Sequence, residues 1–149
     1  MCKKAYSKKH IGFEIRTISN IIKRCFEEKA RMKGVEGLTG VQGLVVDYLY
    51  KQGRDKELFQ RDVEKEFNIR RSTATGVLQL LERDGFITRE AVAQDARLKS
   101  LKLTDKAIRA QKMIIENINE LEEEIALGLT EEEVNTLFDL LCRIKKNIE

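Results

Sequence analysis

Proline is absent from this sequence of 149 residues, histidine occurs once and cysteine three times. Without proline or a low-complexity stretch, nothing marks a linker, which speaks against a clean boundary between two domains. Cys2, Cys25 and Cys142 are widely spread, odd in number and in no metal-like spacing, and His10 alone cannot complete a zinc site with them. No metal or other cofactor is expected, and a reduced intracellular protein is the simplest account of the thiols. Long apolar runs are also missing, since none approaches the roughly 18 residues that a membrane span needs. The basic N-terminus lacks the following apolar stretch of a secretory signal. The expected location is the cytoplasm. Enzyme chemistry has little to work with: there is no nucleophile elbow, no phosphate-cradling glycine loop and no HExxH pair, and His10 sits in a basic tail. A catalytic site is not expected.

What is present is a globular balance, with 42% hydrophobic and 36% charged residues, enough of the former to exclude a disordered chain. The net charge of +3 conceals a segregation. Residues 1–35 carry ten Lys/Arg against three Glu, and residues 69–104 carry seven basic against four acidic side chains. Residues 36–68 are mildly acidic and residues 105–149 carry eleven acidic against six basic groups. Two basic segments and an acidic tail allow an anionic partner on one side of the molecule.

Apolar spacing places the elements. Ile11, Ile15, Ile18, Ile22 and Phe26 form one stripe along a first helix, ended by Gly34 and Gly37. Thr39 with Gln42 forms a capping box for a second helix that buries Leu44, Val45, Tyr48 and Leu49 and closes at Gly53. A charged turn from Arg54 to Glu57 leads to a short third helix through Val63 and Phe67. Phe67-Asn68-Ile69 reads as a tight turn with Asn68 left-handed. A fourth helix follows at once, with Ala74, Val77, Leu78 and Leu81 facing inward and Gly85 at its end. The period then changes from helical to alternating: Phe86 to Glu90 and Leu98 to Leu103 read as strands around a polar tip, Ala93 to Arg97. Lys99, Leu101 and Leu103 should share one face, Ser100 and Lys102 the other. Thr104 caps a long fifth helix with Ala107, Ile114, Ile118, Leu121 and Ile125 on one side. Gly128 ends it, and Thr130 with Glu133 opens a sixth helix carrying Val134, Leu137, Leu141, Ile144 and Ile148.

The order is helix, helix, short helix, tight turn, helix, hairpin, helix, helix. Its middle is a helix-turn-helix with a wing. In such a motif the second helix enters the DNA major groove and residues near its N-terminus reach the bases. Here that end offers Arg70, Arg71, Ser72, Thr73 and Thr75, with Gln79 one turn further on. Arginine suits guanine or phosphate, hydroxyls suit either, and glutamine suits adenine. An ordinary solvated helix would use the same residue types, so this stretch alone decides nothing. The hairpin adds the second argument, because Arg97 at its tip can enter the adjacent minor groove. Asp95, two residues earlier, can hold that guanidinium by a charge-assisted hydrogen bond.

The sequence resembles the MarR family of regulators over nearly its full length. Leu38-Thr39-Gly40-Val41-Gln42 is similar to that family's opening of the second helix, and Asp62-Val63, Phe67-Asn68-Ile69 and Arg71-Ser72-Thr73-Ala74-Thr75 to its helix-turn-helix. Leu81 to Ile87 resembles its lead into the wing, and Asp95-Ala96-Arg97 followed by Leu103-Thr104 its wing signature. The resemblance implies a mainly α winged helix-turn-helix protein, acting as a homodimeric transcriptional regulator, typically a repressor, on double-stranded and palindromic DNA. It implies a DNA-reading lobe over residues 38–104 and a helical dimerisation region over 10–34 and 105–149. It also implies DNA contacts from Arg71, Ser72, Thr73, Thr75 and Arg97, with Asp95 as positioner, and often a small-molecule effector. Tyr48 and Phe26 could line an effector pocket, though both read first as core.

Three departures from the family pattern stand out. Arg70 replaces the usual hydroxyl N-cap, typically worth ~1 kcal/mol. Gly76 lies inside the recognition helix at a cost of about 1 kcal/mol relative to alanine, and either permits a close backbone approach or marks a looser helix. Ala96 stands where a second wing arginine is common. Some peroxide-sensing relatives carry a cysteine near the start of the first helix. Cys25 lies toward its end, beside Arg24, and reads as a buried or incidental thiol. The alternative to DNA reading is a winged-helix module that docks a protein, which should expose apolar residues where Arg71, Thr75 and Arg97 stand.

Overall fold

The computed structural model describes residues 10–34 and 38–149. Its elements are α1 (Ile11–Met32), α2 (Gly40–Gln52), α3 (Gln60–Glu66), α4 (Arg71–Arg83), β1 (Ile87–Val92), β2 (Asp95–Leu103), α5 (Asp105–Ala126) and α6 (Glu131–Ile148). This is the expected order, mainly helical with one small antiparallel hairpin. Cys2 and the expected helix stop at Gly37 lie outside the described residues.

Local chemistry sets the boundaries. Gln42 N–H donates to Thr39 Oγ1 at 3.4 Å while Thr39 N–H donates to Gln42 Oε1 at 2.8 Å, the reciprocal capping box at the start of α2. Thr130 and Glu133 repeat it at α6, at 3.2 and 2.8 Å. Thr104 accepts from Ala107 N–H to start α5, and its own hydroxyl donates to the Gly85 carbonyl at 2.6 Å. That bond ties the exit of the hairpin to the turn that precedes it. Phe59 has no capping side chain, so α3 begins with half a box, its N–H donating to Asp62 Oδ2 at 2.8 Å. Asn68 takes φ 47 in the four-residue turn between α3 and α4, as expected from its tolerance of the left-handed region.

One core joins α2, α3, α4, the hairpin and the first half of α5. Val45, Val46, Leu49, Leu58, Val63, Leu78, Leu81, Phe86, Ile87, Leu101, Ala107 and Ile114 are all buried in it. Leu58, which the sequence pattern had not marked, adds a third rung to the wing: Leu101 N–H donates to its carbonyl at 2.7 Å. Leu44 was expected in this core and is exposed instead. Gln42, Gly43, Val45, Val46 and Leu49 form the buried side of α2, because the helix is enclosed between α1, α4 and α5 and its inward arc is wider than one stripe.

A smaller cluster of Phe26, Ala30 and Leu121 joins α1 to α5, with Cys25, half-buried, at its edge. Phe26 lies against α2 at a point where only glycine fits: a Cβ at Gly43 would stand 2.6 Å from Phe26 Cζ. Ion pairs flank this seam, Lys29 Nζ to Glu124 Oε1 and Lys33 Nζ to Glu120 Oε1, both at 2.7 Å. The Lys33 ammonium beside Glu120 holds that carboxyl below its ordinary range, and the hydrogen bond to Glu124 raises Lys29.

The two ends of the chain are a different matter. The apolar stripe expected on α1 is buried only from Phe26 onward; Ile11, Phe13, Ile15, Ile18 and Ile21 are exposed, Ile11 by 64%. No residue of α6 is buried, and its Leu137, Phe138 and Leu140 face outward.

Candidate nucleic-acid interface

The turn at Asn68 lets α4 follow α3 immediately and sets its direction against the core. Ala74, Leu78 and Leu81 are buried, with Val77 half-buried beside them, and this inward set leaves the opposite side of α4 to solvent. Arg71, Ser72, Thr73 and Gln79 are exposed as expected. Arg70 is the N-cap of α4 in an extended conformation and makes no side-chain cap, so the first N–H groups of the helix are not taken by it. Such groups favour an anion at the helix start.

Thr75 is placed differently from its neighbours. It is half-buried, and its hydroxyl donates to the Arg71 carbonyl at 2.8 Å and accepts from Gln60 Nε2 at 2.9 Å. Gln60 also donates to Glu64 Oε1 at 3.0 Å. The amide therefore links the start of α3 to the first turn of α4. Thr75 is a hydroxyl with its proton committed, able to accept but not to donate outward.

The wing also departs from its expected geometry. Its two-residue turn is Ala93-Gln94, so Asp95, Ala96 and Arg97 belong to β2 rather than to a loose tip. The ladder pairs Val92 with Asp95 and Ala91 with Lys99, leaving Ala96, Arg97 and Leu98 as a bulge. A bulge re-aims the side chains it carries. In the regular part of the ladder Ser100 and Leu101 are both buried, against simple alternation, with the Ser100 hydroxyl turned toward the Glu90 carbonyl at 3.4 Å. Asp95 does not hold the Arg97 guanidinium. Its Oδ1 accepts from the Arg97 backbone N–H at 2.9 Å, the local bond that an Asp makes two residues along, and so it fixes the bulge rather than the charge. Arg97 remains exposed.

Between the start of α4, α3 and the wing lies an open groove of about 400 Å³, lined by Phe59, Gln60, Arg61, Glu64, Arg71, Arg89, Arg97, Leu98 and Lys99. Five cations face it against one carboxylate. The Arg61 guanidinium lies 5.1 Å from the centre of the Phe59 ring, which holds it in a fixed place. Arg89 Nε stands 3.2 Å from Glu82 Oε2. Arg71, Arg97 and Lys99 have no carboxylate within 4 Å among the described residues. Of these groove residues, only Arg71 and Arg97 were marked as site residues by the sequence pattern. Arg61 and Arg89 stand on α3 and β1, where no local spacing signals that they meet, and Lys99 lies two residues beyond Arg97 on β2.

No cluster of His, Cys, Asp or Glu among the described residues is placed to hold a metal ion, and no helix among them is long and apolar enough to cross a membrane.

The MarR family signature matches residues 36–98, a stretch that takes in α2, α3, α4 and the hairpin as far as the bulge. Similarity to solved structures extends over almost the whole chain. The transcription regulator MarR from Oenococcus oeni PSU-1 is 34% identical, with 92% of this chain and 99% of that chain covered and a TM-score of 0.73. S. aureus MepR in complex with DNA is 26% identical, with coverage of 97% and 100% and a TM-score of 0.81. The heme sensor protein PefR from Streptococcus agalactiae, in complex with heme, is 27% identical, covers 95% of each chain and has a TM-score of 0.67. With the signature over residues 36–98 and 34% identity across 92% of its length to a solved MarR regulator, the chain belongs to the MarR family of transcription regulators.

Proposed function

We propose that this chain acts as a homodimer that binds a palindromic DNA operator, with α4 in the major groove and Arg97 in the adjacent minor groove. The observation that carries the reading is the groove beside α4, where cations from four elements converge next to a solvent-facing helix. A phosphate strand passing along that groove would meet Arg61, Arg71 and Lys99, and the free N–H groups of α4 would take the next phosphate. Ser72, Thr73 and Gln79 then face base edges, and Thr75 accepts from a base amino group or a bridging water. Arg70 adds charge at the helix start. The similarity to the MepR–DNA complex supports this arrangement. A protein-docking surface would need apolar residues where these cations stand.

The dimer rests on the exposed apolar faces of α1 and α6. A second copy related by a two-fold axis would cover both faces at once and place two α4 helices for two half-sites. The dimerisation region accordingly comprises 10–34 and 105–149, and the DNA-reading lobe 38–104.

The similarity to a heme sensor supports a small-molecule effector as the switch. A narrow crevice between α1, α5 and the approach to α2, lined by Phe26, Ala30, Lys33, Leu38, Met113, Ile114 and Asn117, is closed even to water as it stands, so an effector there would have to part α1 from α5. Asn117 is buried there with Oδ1 unpartnered, its Nδ2 donating to the Phe26 carbonyl at 3.4 Å. Tyr48 belongs to the core edge instead, packed edge-to-face on Phe67 at 5.9 Å.

The test is selection of bound duplexes from a random pool, followed by anisotropy titration of the selected duplex at several salt concentrations. An enriched palindrome with a steep salt slope is expected. Binding that is weak and indifferent to sequence would refute the operator-reading function.

A further inference from the structure

Gly76 lies on the side of α4 opposite the buried Ala74 and Leu78, between Ser72 one turn before it and Leu80 one turn after. Nothing among the described residues asks for glycine there. A Cβ at Gly76 would meet nothing within 4 Å, and its φ is not in the left-handed region that glycine alone occupies easily. Glycine in a helix interior lowers helix stability relative to alanine, and no internal contact offsets this. The contrast with Gly43 is direct, since a Cβ there would collide with Phe26. Leu80 adds a second observation: an apolar side chain, 38% exposed, on the same open side of a helix whose other outward residues are polar.

We propose that Gly76 and Leu80 form a methyl-reading notch on α4, specific for the C5-methyl group of a thymine in each half-site. This deepens the proposed DNA reading and rests on it. The missing side chain at Gly76 lets a base edge approach the helix backbone. Thymine's methyl is the one apolar group the major groove presents, so an apolar wall at Leu80 selects it over the polar edges of the other bases. Gln79, beside the notch, would take an adjacent adenine.

The experiment starts from the palindrome selected with the full-length protein. Each thymine of a half-site is replaced in turn by deoxyuridine, which removes the methyl and leaves every hydrogen bond in place. One position is expected to weaken binding about fourfold per methyl, and about fifteenfold when both half-sites carry the change. Gly76→Ala is expected to raise the thermal unfolding midpoint yet weaken binding to the thymine duplex by about tenfold or more. The same variant should lose much less on the deoxyuridine duplex, because its added methyl occupies the space that thymine's methyl vacates. If deoxyuridine is silent at every position, or if Gly76→Ala binds both duplexes as the unmodified protein does, the notch is refuted while operator reading stands. If no duplex is enriched at all, operator reading fails and the notch with it.

Discussion

Replacing Arg97 by alanine tests the placement of the wing. Arg97 is exposed on a bulge, and neither the core nor a carboxylate among the described residues depends on it, so the fold should be unchanged. A dimer would lose two cations from its DNA footprint. Counterion release assigns about 0.9 to the salt slope per neutralised phosphate, so the slope of log K against log salt should become shallower by about 1.8. Between 50 and 200 mM salt, about 0.6 of a decade, the affinity deficit of the variant should therefore shrink by about tenfold. The assay is anisotropy titration of one labelled palindromic duplex across that range, with Gln79→Ala as comparison. The neutral Gln79 should alter base preference by about 1–3 kcal/mol while leaving the slope alone. An Arg97→Ala slope equal to that of the unmodified protein would refute the placement of the wing arginine in the minor groove.

Other outcomes follow from packing and titration. Phe26→Ala should cost about 3–5 kcal/mol in urea unfolding, since Phe26 is 3% exposed and joins α1, α2 and α5; a loss below 1 kcal/mol would contradict a packed α1–α5 seam. Asp139 separates two exposed apolar residues of α6, and Phe138→Asp should convert the protein to a monomer in sedimentation equilibrium, with DNA affinity falling in step. An unchanged dimer would place the interface elsewhere. Glu120 has its carboxyl lowered by the hydrogen bond from Lys33, so its contribution is present above its unfolded pKa and is lost as pH falls through the lower folded one. Thermal midpoints of Glu120→Gln should therefore converge with those of the unmodified protein as pH drops from about 5 toward 3, the differences being small because the pair is exposed. Lys29 runs the other way: its pKa is raised, so its contribution is present below the unfolded value and is lost only under strongly alkaline conditions.

Asp95 illustrates how far local sequence can be trusted. Its spacing to Arg97 correctly indicates that the two residues act together, because an Asp side chain reaches an amide two residues along without help from the rest of the fold. Which donor it takes depends on the bulge, a feature of how β2 pairs with β1 that the spacing of Asp95 and Arg97 does not reveal. Leu44 fails for a related reason, since an enclosed helix such as α2 does not obey a single stripe.

Local sequence was enough to set the helix starts at Thr39, Thr104 and Thr130, the turn at Asn68, the element order and the exposed face of α4. All of these rest on bonds between residues three or four apart or on the period of apolar side chains. Packing in three dimensions was needed to show that Arg61, Arg89 and Lys99 join Arg71 and Arg97 around one groove, that Gln60 commits the Thr75 hydroxyl, and that Gly76 faces open space while Gly43 does not. Those facts concern residues brought together from separate elements, and their distances are set by how α2, α4, α5 and the wing close on one core rather than by any spacing along the chain.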